Sequence, residues 1–189
     1  MLMPRAVWWV TLAVTGLMLL TQIFGWKPEL QYARGAILHG ELWRLVTGQF
    51  VHLGWSHLAL NLAGLWLWTA LAGEHETSAT YISALLAGLL GVGLGLLVLN
   101  PGVGWYVGLS GVLHGLFAHT GVRLLARRDW LAGGGVLAAL TLKLMWEQTH
   151  GDIGTARLIG GSVVMDAHLY GAVAAGGVAL IGVIFFGRR

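Results

Sequence analysis

Five side chains of this sequence are costly in apolar surroundings and carry the means for one kind of chemistry: Ser110, His168, His57, Asn61 and His114. A serine hydroxyl attacks a carbonyl only when a base takes its proton, and imidazole does so near neutral pH. Gly108 and Gly111 flank Ser110. They permit a tight turn into the segment that follows and leave backbone N–H groups uncovered. His57 and Asn61 are four residues apart and share a helix face, so both can aim donors at a developing oxyanion. Nucleophile, base and oxyanion donors together describe acyl transfer, provided the chain brings them to one place.

The elements that must do so are membrane helices. Of the 189 residues, 57% are apolar and 10% charged, whereas a soluble domain carries about 25% charged residues. Six apolar runs stand out: Val7 to Phe24, Trp55 to Ala72, Ala79 to Leu99, Trp105 to Leu125, Trp130 to Trp146 and Ala167 to Phe186. Each approaches the ~20 residues of a spanning helix. The expectation is an all-α membrane protein, one domain over residues 1–189, with six spans and an interfacial loop at 25–54. That loop contains Pro28 and the half-apolar stretch Leu42 to Val51. No Ala-x-Ala pattern closes the first run, so it reads as an uncleaved span. The chain has no Cys, which excludes disulfides, thiolate metal sites and a cysteine nucleophile. Its net charge of +3 does not argue for nucleic acid, because the basic residues abut apolar runs, where they orient a protein in the bilayer.

Orientation follows from those charges. With the N-terminus inside, the inner segments hold Arg5, Arg123, Arg127, Arg128, Arg188 and Arg189, and the outer ones Lys27, Arg34, Arg44 and Arg157. The inner charges lie hard against span ends, so both termini are predicted cytoplasmic. Trp8, Trp9, Trp26, Trp55, Trp105, Trp130 and Trp146 fall near span ends, as an aromatic belt requires.

In this topology the second, fourth and sixth spans all start at the outer face. His57, Asn61, Ser110, His114 and His168 therefore share one depth. No carboxylate is expected there. Lys143 and Glu147, four apart on the fifth span, are expected to pair with each other or to latch that helix to a neighbour. Asp166 is expected at the membrane surface, and His39, His75, His119 and His150 in solvent or at the interface. Small residues recur every four positions at Ala87, Gly91 and Gly95, at Gly111 and Gly115, and at Ala167, Gly171, Ala175 and Ala179. These are seams for close helix packing.

At these residues the chain resembles a known family. Glu41-Leu42-Trp43-Arg44, Phe50-Val51-His52 and His57-x-x-x-Asn61 are similar to the first loop and second helix of rhomboid intramembrane serine proteases. Gly108-Leu109-Ser110-Gly111-Val112-Leu113-His114-Gly115 is similar to their GxSGxxxG nucleophile motif, and Ala167-His168-Leu169-Tyr170-Gly171 to the sixth-helix motif that carries their base. The resemblance implies that Ser110 is the nucleophile and His168 its base, a dyad without an acid. It further implies that His57 and Asn61, with the Ser110 amide, form the oxyanion hole, and that Trp43-Arg44 fixes the first loop in the interface. No cofactor and no metal are implied. Ala175 stands where the family often has a second Gly. His114 resembles the rhombosortase branch, whose members carry GxSGxxHG. Its proposed substrates end in a Gly-rich motif, a single span and a basic tail. The implied setting is a bacterial inner membrane with the site toward the outer face.

Two other classes remain open on the residues alone. One is a metal enzyme or transporter with His52, His57, His114 and His168 as ligands, although HExxH is absent. The other is an inactive rhomboid-like protein that only binds transmembrane helices. His114 has a purely structural alternative, bonded to a carbonyl one turn away.

Overall fold

The computed structural model describes residues 5–72 and 76–186. Among them are six long helices: α1 (Arg5–Ile23), α2 (Trp55–Ala72), α3 (Ser78–Leu99), α4 (Ser110–Ala126), α5 (Trp130–His150) and α6 (Met165–Phe186). Local chemistry sets several ends. Thr77 caps α3 by accepting from the Thr80 amide, and Asp129 caps α5 by accepting from the Ala132 amide. Arg128, at φ 66°, turns the chain between α4 and α5, and Gly151, at φ 88°, stops α5. His75, Arg188 and Arg189 lie outside the described residues.

Two helices, Ser78–Leu99 and Met165–Phe185, are long and apolar enough to cross a membrane by length and composition alone. The remaining long helices carry the polar groups or fall short in length. The outside of the bundle is nonetheless apolar: Leu86, Leu90 and Leu94 of α3 and Leu180, Ile181 and Ile184 of α6 are all exposed. The seven Trp residues expected near span ends are exposed too. Surfaces of this extent mark contact with something other than water.

The expected seams are where the helices approach most closely. A Cβ on Gly111 would stand 2.7 Å from the Ala167 carbonyl oxygen, and one on Gly115 would stand 2.7 Å from that of Gly171. The Gly171 position likewise abuts the Gly111 carbonyl. Gly91 and Gly95 face Ala174 and Tyr170. α6 thus lies backbone to backbone on α4 and packs on α3, which fixes the relative depth of residues 110 and 168.

The 25–54 region is more ordered than a loop. It holds short helices at Lys27–Leu30, Arg34–Leu38 and Arg44–Thr47, a 3-10 turn at Gly48–Phe50 and a strand β1 (Tyr32–Ala33). Strand β2 (Trp105–Tyr106) pairs antiparallel with β1, Tyr32 opposite Tyr106. This amends the expected all-α fold and the expected fourth span: the run from Trp105 is strand and turn first, and helix begins only at Ser110. The cause is Gly108, whose φ of 111° no helix allows. Arg44 pins the region. Its Nε donates to Glu41 Oε2 at 2.6 Å, and its Nη1 donates to the carbonyls of Pro28 and Gln31 at 3.0 Å each. Buried Gln49 donates to the Leu45 and Leu89 carbonyls, tying the region to α3. Trp43 beside it is exposed, as an interfacial residue would be.

Candidate active site

Ser110 is the first residue of α4, so its amide and its neighbours' have no carbonyl one turn back to bond. Its hydroxyl does not cap the helix. Oγ lies 2.9 Å from His168 Nε2. The helix start is forced into this place by Gly108: its amide donates to the Gly48 carbonyl at 3.1 Å, and its own carbonyl accepts from the Tyr106 hydroxyl at 2.9 Å. Burial pushes Tyr106 up to about 12, so that hydroxyl remains a donor.

The second imidazole nitrogen of His168 overturns one expectation. Nδ1 stands 2.9 Å from Glu147 Oε2, and Glu147 is buried. A carboxylate therefore does share the level of the serine, where none was expected. Lys143 Nζ donates to the other oxygen, Oε1, at 2.5 Å, so the expected i,i+4 pair forms and the latch forms with it. These contacts agree on one tautomer. Ser110 O–H donates to Nε2, and Nδ1–H donates to Glu147.

His57 and Asn61 are buried on the α2 face turned toward Gly108. A Cβ on Gly108 would collide with the His57 ring, 2.6 Å away, and stand 3.7 Å from Asn61 Nδ2. The Leu53 amide points at His57 Nδ1 at 3.4 Å, which leaves Nε2 to carry the proton. Asn61 Nδ2 donates one hydrogen to the His57 carbonyl at 3.0 Å and keeps a second free. His52 sets its ring edge against His57, centroids 5.0 Å apart. Burial, and then His57, push His52 down to about 3, so it packs as a neutral ring.

His114 Nδ1 donates to the Ser110 carbonyl at 2.7 Å, the back-bond of its structural alternative, and its ring stacks on His168 at 4.1 Å. The ligating atoms of His114, Glu147 and His168 lie within 4.8 Å of one another. With those rings only 11° from parallel, their in-plane lone pairs do not converge as a tetrahedral Zn²⁺ would need. Both His168 nitrogens are already engaged. The geometry suits proton transfer better than coordination.

These groups open on a cavity of about 710 Å³, walled by Leu60 and Gly64 of α2, Phe117 of α4 and Val136 and Leu140 of α5. Ser110, His57, Asn61 and His168 are among its polar lining residues. Thr155 and Ile159 of a short helix, Thr155–Ile159, also line it, and the Asp152 carboxylate before that helix accepts from the amides of Gly154, Thr155 and Ala156.

A serine bonded to an imidazole in a mostly apolar cavity is an arrangement that several folds share. The decisive comparison is with families: the model of the Rhomboid domain matches residues 39–186. The chain belongs to the rhomboid family. That family is one of intramembrane serine proteases acting on membrane proteins in the bilayer, and the apolar exterior agrees that this rhomboid is an integral membrane protein. No curated protein matches the chain closely enough to serve as a relative.

In this rhomboid the expected site residues gather as follows. Ser110, His168, His57, Asn61 and His114 all line the one cavity. Gly108, Gly111 and Gly171 occupy places where a side chain would not fit, while Trp43 and Arg44 stand in the first loop, outside the lining of that cavity. Glu147 is the residue that sequence reasoning misplaced. Span starts alone set the expected level of the site, and the end of α5 reaches His168 too. His119 also departs from expectation. It is buried, its Nδ1 3.5 Å from Glu76, while His39 and His150 are exposed. Asp166 is half-buried and accepts from Asn100 at 2.6 Å.

Proposed function

We propose that this rhomboid is an intramembrane serine protease that cuts single-span membrane substrates in or next to the outer end of their span. The observation that carries the reading is the 2.9 Å bond between Ser110 Oγ and His168 Nε2 in the lining of the cavity. Ser110 Oγ bonds to the substrate carbonyl carbon while His168 Nε2 takes the hydroxyl proton. The oxygen that becomes negative is met by His57 Nε2–H, the free Asn61 Nδ2–H and the Ser110 amide. The C–N bond breaks, Nε2 returns the proton to the leaving amine, and water releases the acyl group by the same steps in reverse order.

All six long helices span in this reading, both termini are cytoplasmic and the site faces outward, in a bacterial inner membrane. The proposed substrates are those of the rhombosortase branch, on the strength of His114 in GxSGxxHG. A spanning helix hides its carbonyls in its own hydrogen bonds, and Gly, ~1 kcal/mol worse than Ala in a helix, lets it unwind. A Gly-rich stretch at the outer end of a span followed by a basic tail is therefore the signal to test.

The test is labelling of detergent-purified protein by a fluorophosphonate probe. Wild type is expected to label at Ser110 and Ser110→Ala not at all, with folding kept because Ala is neutral at this helix start. Equal labelling of the two proteins overturns the serine-protease reading. In a reconstituted assay, replacing substrate Gly by Leu is expected to stop cleavage. Undiminished cutting overturns the Gly-rich signal, and cutting at the cytoplasmic end overturns the topology.

A further inference from the structure

We infer that Glu147 is a positioning residue for His168, so that the working unit is Ser110, His168 and Glu147 with Lys143 as the counter-charge. This rests on the serine-protease reading and deepens it. Two observations and an energetic argument carry it. Glu147 comes from α5, a helix that contributes neither nucleophile nor base, yet its carboxylate is almost fully buried and directed at His168 Nδ1. Its two oxygens are divided, Oε2 to the imidazole and Oε1 to Lys143, so neither is left unpartnered. And a buried carboxylate this close to an imidazole needs a use, since removing it from water costs several kcal/mol that an ion pair alone does not reliably recover.

The chemistry follows from the proton positions. Nδ1 must carry a hydrogen for Nε2 to accept from Ser110, and a carboxylate on Nδ1 selects that tautomer and orients the ring. When Nε2 takes the serine proton, the imidazolium is formed between Glu147 and the oxyanion. The groups facing His168 are Ser110 and His114 from α4, His57 from α2, and Glu147 with Lys143 behind it from α5. Glu147 is the anionic member of that set. His114 stacks flat against the His168 ring and restrains its tilt, which leaves rotation in the ring plane to Glu147.

The test compares wild type, Glu147→Gln, Glu147→Asp, Lys143→Met and Ser110→Ala in fluorophosphonate labelling, reading the limiting rate at saturating probe separately from the concentration giving half that rate. Glu147→Gln is expected to lower the limiting rate on the order of 10²-fold or more, toward the ~10⁴-fold that loss of the acid costs a soluble triad. The half-saturating concentration should stay unchanged. Glu147→Asp should recover part of the rate, and Lys143→Met should lose less than Glu147→Gln. A role in helix packing alone would lower thermal stability and leave the limiting rate in place, and that result overturns the proposal. Should Glu147→Gln fail to fold, proton NMR of wild type decides. A low-field imidazole N–H resonance that is lost in His168→Ala supports the bond, and its absence from wild type overturns it. If wild type does not label at Ser110, the protease reading has failed. If wild type labels and Glu147→Gln labels equally fast, only the positioning role has failed.

Discussion

Two buried carboxylates in this rhomboid each face a histidine, and the two pairs lie toward opposite ends of α4. Glu147 meets His168 beside Ser110, at the start of that helix, with the cavity in front. Glu76 meets His119 nine residues further along, about 14 Å at 1.5 Å per residue. Around Glu76 everything converges on the carboxylate: Arg123 Nε lies 3.2 Å from one oxygen, and the Thr120 hydroxyl donates to the other at 3.2 Å while accepting from Trp68 Nε1. Around Glu147 the contacts form a line instead, from Lys143 through the carboxylate and the imidazole to a hydroxyl that ends at the cavity. The same residue types hold helices together when donors surround the acid. In the proposed reading they become a proton path, because the imidazole has a carboxylate on one nitrogen and a hydroxyl on the other.

Replacing the two histidines separates these roles most sharply. His168→Ala is expected to reduce fluorophosphonate labelling to the background of Ser110→Ala, because no other base bonds Oγ among the described residues. His119→Ala is expected to label within a few-fold of wild type while its apparent Tm in detergent falls. If His119→Ala silences the protein as His168→Ala does, the distinction between a line and a convergence of contacts is wrong.

The next effect concerns the donors beside Ser110, His57 and Asn61, which have no counterpart around Glu76. His57→Ala and Asn61→Ala are each expected to cut turnover ~10²–10³-fold with little change in KM, since a donor aimed at charge present only in the transition state acts on the chemical step. Steady-state kinetics on a reconstituted substrate checks this. A raised KM with unchanged turnover would reassign both residues to substrate contact.

The comparison also shows what the sequence made legible. Residues brought together by helix spacing were readable: His57 and Asn61 on one face, the Gly seams of α4 and α6, and the Lys143–Glu147 pair. So were the common levels of Ser110 and His168, because span starts share a depth. Contacts made across chain reversals were not. Glu147 reaches His168 from the far end of α5, and Glu76 reaches α4 from the connection before α3, where no periodicity points. β1 and β2 were hidden for a different reason. The Trp105 run is as apolar as a helix, and only the positive φ of Gly108 reveals that it turns before Ser110. A glycine's φ is a property of the fold that residue type permits and does not announce.

The smallest effect on catalysis, and the sharpest check that the Glu76 cluster is structural, comes from Glu76→Gln. Burial alone would raise this carboxyl, but His119, Thr80 and Arg123 outweigh it and hold it below its ordinary value of 4.5. A depressed carboxyl keeps the native state deprotonated at a pH where the unfolded chain already binds a proton, so stability rises with pH across that window. Its contribution is complete above 4.5 and is lost as pH falls through the folded value. Gln leaves Arg123 facing a neutral amide, which should cost on the order of 1–2 kcal/mol at neutral pH, less than the ~3–5 of deleting one partner of a buried pair. The gap in apparent Tm between wild type and Glu76→Gln is therefore expected to be widest near neutrality and to close as the pH drops below 4.5, with labelling at Ser110 unchanged throughout. A gap that stays constant with pH would mean that the charge of Glu76 contributes nothing to folding. A loss of labelling in a folded Glu76→Gln would mean that the two ends of α4 are coupled, and that the Glu76 cluster helps set the geometry around Ser110.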